Sequence, residues 1–164
     1  MWRGFVSGCV LFTTDSYVVK PLFFAGGDIG KLAVCGTVND LAVAGGVPRA
    51  ISMGLIIEEG LEFAVLERVL DSAAAAAKMA GVEIVTGDTK VVEAGSADGI
   101  FINTAGIGVR HSKAELGFDK IKPGDKVIIN GTIGDHGMTI MSQREGIEFD
   151  TPLESDCAAL SGLV

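Results

Sequence analysis

The chain has 164 residues, enough for one ordinary domain or one domain plus part of another, and its 48% hydrophobic content can bury a real core. Aromatics make up only 6% while Gly occurs 23 times, so that core must be packed from small and branched aliphatic side chains. A formal net charge of -8 excludes the basic footprint of a nucleic-acid surface, but not a phosphate ligand, because bound magnesium reverses the local field.

The predicted elements alternate. Residues 9–14 and 17–19 read as strand on either side of Asp15. Pro21 and the pair Gly26 and Gly27 then break the chain, Asp28 is placed as an N-cap, and 29–44 has helical spacing. Gly45, Gly46 and Pro48 end that helix, and the apolar run 50–57 reads as a buried strand closed by Glu58, Glu59 and Gly60. Residues 61–80 form the clearest helix, with alanines at 73–77 and Gly81 as its stop. Strand follows over 82–92, interrupted at Gly87 and Asp88, and again over 100–109, where Gly106 and Gly108 mark a bulge or a close backbone approach. The order predicts an α+β (mixed α/β) fold with helices on one face of a mixed sheet.

A boundary is expected at 111–124, giving a first domain over 1–112 and, over 113–164, a linker and the start of a second α/β domain. There 126–130 is strand-like, 138–144 is helical, and one more helix fits before Val164. Cys9, Cys35 and Cys157 show no paired spacing, which predicts free thiols in a reducing compartment. No apolar run is long enough to span a membrane. Residues 1–12 are apolar with a single Arg3 but carry no small-residue cleavage pattern, so a cytoplasmic location is expected.

Three acidic segments, around Asp15, Asp40 and Asp88, carry the candidate chemistry. Each sets a carboxylate beside a hydroxyl, amide or glycine at the end of an apolar run, and hard divalent cations take carboxylate and phosphate oxygens. No G-x-x-x-x-G-K-[ST] sequence is present, which excludes a P-loop. Each segment also has a plainer reading. Asp15 and Asp88 fit solvated turns or strand ends, and Asp28 fits a helix cap. Asp40 is harder to explain structurally, because Asp and its neighbour Asn39 are both poor helix formers. Lys90 suits a phosphate or an ion pair with Asp88, while Lys31 reads as a solvated helix residue. Cys35 reads as core, Cys157 has no electropositive surroundings to activate it, and His111 and His136 lack partners at metal spacing, leaving His136 a cap or loop role.

The segments TTDSYVV (13–19), PLFF (21–24), GGDIGKLAVCGTVNDLA (26–42), TGDTKVV (86–92), FINT (101–104) and GTIGDHG (131–137) resemble the hydrogenase expression/formation family HypE, over about residues 11–142. That family sits in the wider PurM/AIR-synthase-related superfamily with selenophosphate synthetase and thiamine-phosphate kinase. The resemblance implies a PurM-like N-terminal domain whose sheet pairs into a closed barrel in a homodimer, with ATP near the interface. It makes Asp15, Asp40 and Asp88 magnesium ligands and sets Thr14, Asn39, Gly87, Thr89 and Lys90 near the phosphates. It implies ATP-dependent dehydration of a cysteine S-carboxamide to an S-cyanate, for the cyanide ligand of nickel–iron hydrogenase, with the carbamoyltransferase HypF and the HypC–HypD complex as partners. Residues 1–10 lack the acidic, glycine-containing lead-in expected before the first strand, and the chain lacks most of a second domain and the family's C-terminal cysteine, so a truncated, inactive fragment is expected. The alternatives are a dimerisation or partner-docking module, or another ATP-using member of the superfamily.

Overall fold

The computed structural model describes residues 9–163. In chain order these form β1 (Val10–Tyr17), β2 (Phe23–Phe24), β3 (Gly27–Asp28), α1 (Ile29–Val43), β4 (Gly46–Glu58), α2 (Phe63–Ala80), β5 (Glu83–Val92), β6 (Ile100–Arg110) and α3 (Asp135–Glu145). The main sheet has the order β1-β6-β4-β5. β6 lies antiparallel to both β1 and β4, and β4 and β5 run parallel, so the sheet is mixed as expected. α1 and α2 cover one face. The other face carries Phe12, Ile56 and Ile107, which are 66%, 41% and 43% exposed. Among the described residues no helix is long and apolar enough to cross a membrane.

Several expectations change in detail. β1 runs unbroken through Asp15 and stops at Tyr17, so 18–19 is not strand; an edge strand keeps one side in water, where a carboxylate costs little. β4 begins already at Gly46, with Pro48 opposite Gly108 and the register shifting before Ala50. Pro is tolerated at such an irregularity because no ladder donor is required there. β5 is continuous through Gly87 and Asp88, but its register against β4 shifts between Ile51 and Ser52, skipping Val85. Residues 126–130 form no strand, and Val127 and Ile128 are 95% and 86% exposed. β-Branched composition supplies strand propensity, but a strand also needs a partner. The last expected helix is a short turn at 161–163. Residues 1–8, most of the segment expected to lack the family's lead-in, lie outside the described residues.

α1 is the centre of the molecule. Ile29, Ala33, Val34 and Val38 are fully buried, and apolar residues continue round most of its circumference, as befits a helix covered on several sides. Its start is fixed twice by Asp28. Oδ1 accepts from the backbone N–H of Gly30 (2.8 Å) and Lys31 (3.1 Å), the expected cap, while Oδ2 accepts from Ser72 Oγ on α2. Lys31 is not a free surface residue, because its ammonium donates to Gly26 O at 2.7 Å. α2 turns Val69, Ala73, Ala76 and Ala77 inward and ends at Gly81 in the left-handed conformation (φ 69°). The alanine run therefore packs the helix pair.

Glycines set the spacing of these layers. A Cβ on Gly30 would fall on the Val69 carbonyl oxygen and 3.2 Å from Ala73 N. One on Gly106 would lie 2.7 Å from Thr37 Cγ2, so Gly106 marks a close approach of sheet to helix rather than a bulge. Gly30→Ala raises intrinsic helix propensity, yet it should destabilise the fold by about 1–3 kcal/mol through overpacking. Urea unfolding followed by circular dichroism measures this, and an unchanged or higher midpoint would show that α1 and α2 have room to separate.

Candidate functional site

The three predicted carboxylates divide between the two faces of the sheet. Asp15 on β1 stands opposite Thr104, Thr104 opposite Met53, and Met53 beside Gly87. Directly opposed residues share a face, and Thr104 (0% exposed) and Met53 (6%) are packed under the helices, so this row belongs to the covered face. The adjoining row is Ser16, Asn103, Gly54 and Asp88, and it belongs to the open face. Asp88 therefore lies across two intervening strands from Asp15, about 14 Å at ordinary strand spacing, and on the opposite side. Among the described residues no three His, Cys, Asp or Glu side chains gather as a metal site.

Asp15 and Asp40 do share a side. Thr13, two residues before Asp15 and so on its face, donates from Oγ1 to Asp40 Oδ2 at 2.9 Å, tying edge strand β1 to α1. Asp15 Oδ1 also accepts from its neighbour Ser16 N at 2.7 Å. Beneath the pair runs a buried hydroxyl chain that sequence reasoning missed. Tyr17 Oη lies 3.3 Å from Thr37 Oγ1, which donates to Ala33 O (2.8 Å) or meets Thr104 Oγ1 in a short hydrogen bond. Gly36 leaves room for the tyrosine ring, since a Cβ there would fall on the phenol oxygen. Hydroxyls at 17, 37 and 104 are visible in the sequence, but only the β1–β6 register and the helix seat bring them together. Burial above all, with the Asp15 carboxylate adding to it, pushes the Tyr17 phenol up to about 12.

The expected phosphate-side residues also fall into two groups. Asn39 lies on α1 beside Asp40, but both ends of its amide are taken by the chain itself. Nδ2 donates to Ala158 O at 2.9 Å, and Oδ1 accepts from Leu160 N at 2.7 Å. Thr14 Oγ1 donates to Thr104 O at 2.8 Å. At the far edge, Gly87 fits against β4 so closely that a Cβ would fall on the Met53 carbonyl oxygen. Beyond it Lys90 pairs with Asp88 at 2.8 Å on the exposed face, so the ion-pair reading of Lys90 holds in this chain. The hydrogen bond from Lys90, then that from the Thr89 N–H, lowers the Asp88 carboxyl below its ordinary value. Thr89 stands beside Leu55 in the covered row. Asp15 and Asp40 thus share the covered side of the sheet, while the full set of three does not close round one ion within a single chain.

His136 is held in the first turn of α3. Its ring Nδ1 lies 3.0 Å from Ser155 Oγ, its edge meets Phe24 at 5.1 Å between ring centres, and its N–H donates to Asp156 Oδ1 at 3.0 Å. Asp156 Oδ2 also accepts from Gly134 N at 3.2 Å, so the cap of α3 comes from twenty residues downstream rather than from a local side chain. The His111 ring Nδ1 accepts from Lys113 N at 3.2 Å.

Residues 5–110 match the family model of the AIR synthase related protein, N-terminal domain. The chain is 59% identical to carbamoyl dehydratase HypE of Rhizobium leguminosarum bv. viciae, over 96% of its own length and 45% of that relative's. Among solved structures it resembles a HypE–HypF complex (TM-score 0.90, 59% identity, 94% of this chain and 50% of that one). It also resembles hydrogenase maturation protein HypE in complex with ATP (TM-score 0.91, 51% identity, 98% and 48%). The chain spans about half the length of the relatives that it matches.

The buried hydroxyl chain makes a direct prediction. Tyr17 is the one tyrosine of the chain, so ultraviolet absorbance at high pH reports it alone. A phenol at about 12 in the folded protein against 10.0 in the open chain holds its proton more tightly when folded. The stability it contributes is therefore whole below pH 10 and lost as the pH climbs toward 12. Thr37→Val removes a hydroxyl that favours the phenolate and should move the titration higher; a midpoint near 10 in the native protein would overturn the burial assignment.

Proposed function

The chain belongs to the AIR synthase related family, and from that premise we propose that it is the ATP-binding part of a HypE-type carbamoyl dehydratase. The whole enzyme would dehydrate a cysteine S-carboxamide to an S-cyanate, the source of the cyanide ligand of nickel–iron hydrogenase. ATP phosphorylates the carbamoyl oxygen, so that oxygen departs with phosphate and the carbon–nitrogen triple bond remains on sulfur. The observation that carries this reading is the likeness, at 51% identity over 98% of the chain, to a HypE solved with ATP. The same likeness to a HypE–HypF complex supports the carbamoyltransferase HypF as a partner. HypC–HypD as onward acceptor and a cytoplasmic setting complete the proposal.

In this reading Asp15, Asp40 and Asp88 serve magnesium, which neutralises phosphate charge when bound, and Thr14, Asn39, Gly87, Thr89 and Lys90 serve the nucleotide. Asp15 and Asp40 would act from one chain. Asp88, leaving the opposite face, completes the set only with a second copy in place. Homodimerisation is supported by the exposed apolar residues Phe12, Ile56 and Ile107 on the open face, and by two edge strands, β1 and β5, without outer partners among the described residues. A second reading, a docking module that does not turn over ATP, is favoured by one observation: the Asn39 amide is engaged by 158–160 instead of facing solvent.

Asp40→Asn keeps the shape and removes one charge-assisted contact of about 1.5–3 kcal/mol, so magnesium–ATP affinity should fall roughly tenfold to a hundredfold in titration calorimetry. Mixing Asp40→Asn with Asp88→Asn should restore binding to part of the population if the set is shared between copies; no recovery would remove Asp88 from it. Capture of HypF with undetectable nucleotide affinity in the unaltered chain would favour the docking reading.

A further inference from the structure

The segment 154–160 lies as a strap along one stripe of α1. Lys31, Cys35 and Asn39 follow one another at four-residue spacing and so share a helix face. At the first, Lys31 bonds Gly26 O, while Ser155 N donates to Ala25 O at 2.9 Å and the Ser155 backbone closes over Gly26, where a Cβ would lie 2.9 Å away. At the last, the Asn39 amide grips Ala158 O and Leu160 N. The lengths agree: eight residues of helix rise about 12 Å, and the four steps from Ser155 to Ala159 reach about 13–14 Å when extended. Cys157 is thereby carried along the stripe of α1 that holds Cys35, and each thiol perturbs the other's titration. Ser155 Oγ accepts from Cys157 N at 3.2 Å, which fixes the backbone of that turn.

We propose that Cys35 and Cys157 form a reversible disulfide that latches the strap to α1 under oxidising stress. Cys35 is 3% exposed and Cys157 is half-buried, so a small-molecule disulfide such as oxidised glutathione meets Cys157 first. Cys157, the accessible thiol, gives up its proton and attacks one sulfur of that disulfide, forming a mixed disulfide and releasing one thiol; because its titration is raised, this is the slow step. The Cys35 thiolate then attacks Cys157 Sγ, the protein S–S bond forms, and the second thiol leaves with the proton that Cys35 gave up. Two protein thiols are oxidised and one small disulfide is reduced. The neighbouring Cys157 thiol, followed by the charge of Lys31, favours the Cys35 thiolate against the cost of its burial, while Cys35 and burial raise Cys157. That asymmetry suits Cys35 to the resolving step.

The test uses the Cys9→Ser protein, which leaves only the two thiols in question, incubated natively with oxidised glutathione. Both thiols should disappear together, with an intact mass two hydrogens lighter and one tryptic species linking the Cys35 and Cys157 peptides. Cleavage after Glu154 by a glutamyl endopeptidase should slow roughly tenfold or more and recover on reduction, because the latch blocks local opening of the strap. Cys35→Ser should stop at glutathione on Cys157, and Asn39→Ala should slow closure by loosening the strap. Stable glutathione on Cys157 with Cys35 intact, or linkage only between chains, would overturn the proposal.

Discussion

Everything in this molecule depends on how closely α1 lies against its neighbours. The helix is covered by the sheet on one side, by α2 on another and by the strap on a third, and each contact is made where a side chain is missing or small. Gly30 admits the backbone of α2, Gly36 admits the Tyr17 phenol, and Gly106 admits Thr37 from the sheet side. With 6% aromatic residues there are few large side chains to fill gaps, so density must come from approach. The polar groups carried inward by that approach are then satisfied locally, as the Tyr17, Thr37 and Thr104 hydroxyls show.

Much of the architecture was legible because its signals are local. The Asp28 cap, the Gly81 stop and the alternation of apolar runs each mark an element by its own chemistry. What was not legible is relational. The run 126–130 has the composition of a strand and no neighbour to pair with, and Asp15 looked like an interruption because nothing in a sequence says that a strand will be at an edge. The lysine at 31 looked solvated because its acceptor, the Gly26 carbonyl, is set by a turn.

The candidate site follows the same division. Its residues could be named from the chain, but their facing could not. The decisive detail is the one-residue register shift between Ile51 and Ser52, which skips Val85. Without it Asp88 would fall opposite Leu55, on the covered face with Asp15; with it every later residue of β5 changes face. The shift decides the face, while the two intervening strands keep Asp88 about 14 Å from Asp15 on either face. The register and the strand order together account for the separation of Asp88 from Asp15 and Asp40.

The grip of Asn39 on the strap is made to backbone atoms alone, a carbonyl at Ala158 and an N–H at Leu160. Such a contact reads the course of the chain rather than its composition. Positions 158 and 160 are therefore free to vary in side chain without loosening it, with proline at 160 barred for want of an N–H. The burden of keeping the strap seated falls on position 39, where neither aspartate nor leucine offers a donor and an acceptor together. Side-chain identity and physical contact thus come apart at this seam, because one partner of the interaction is a specific amide and the other only backbone.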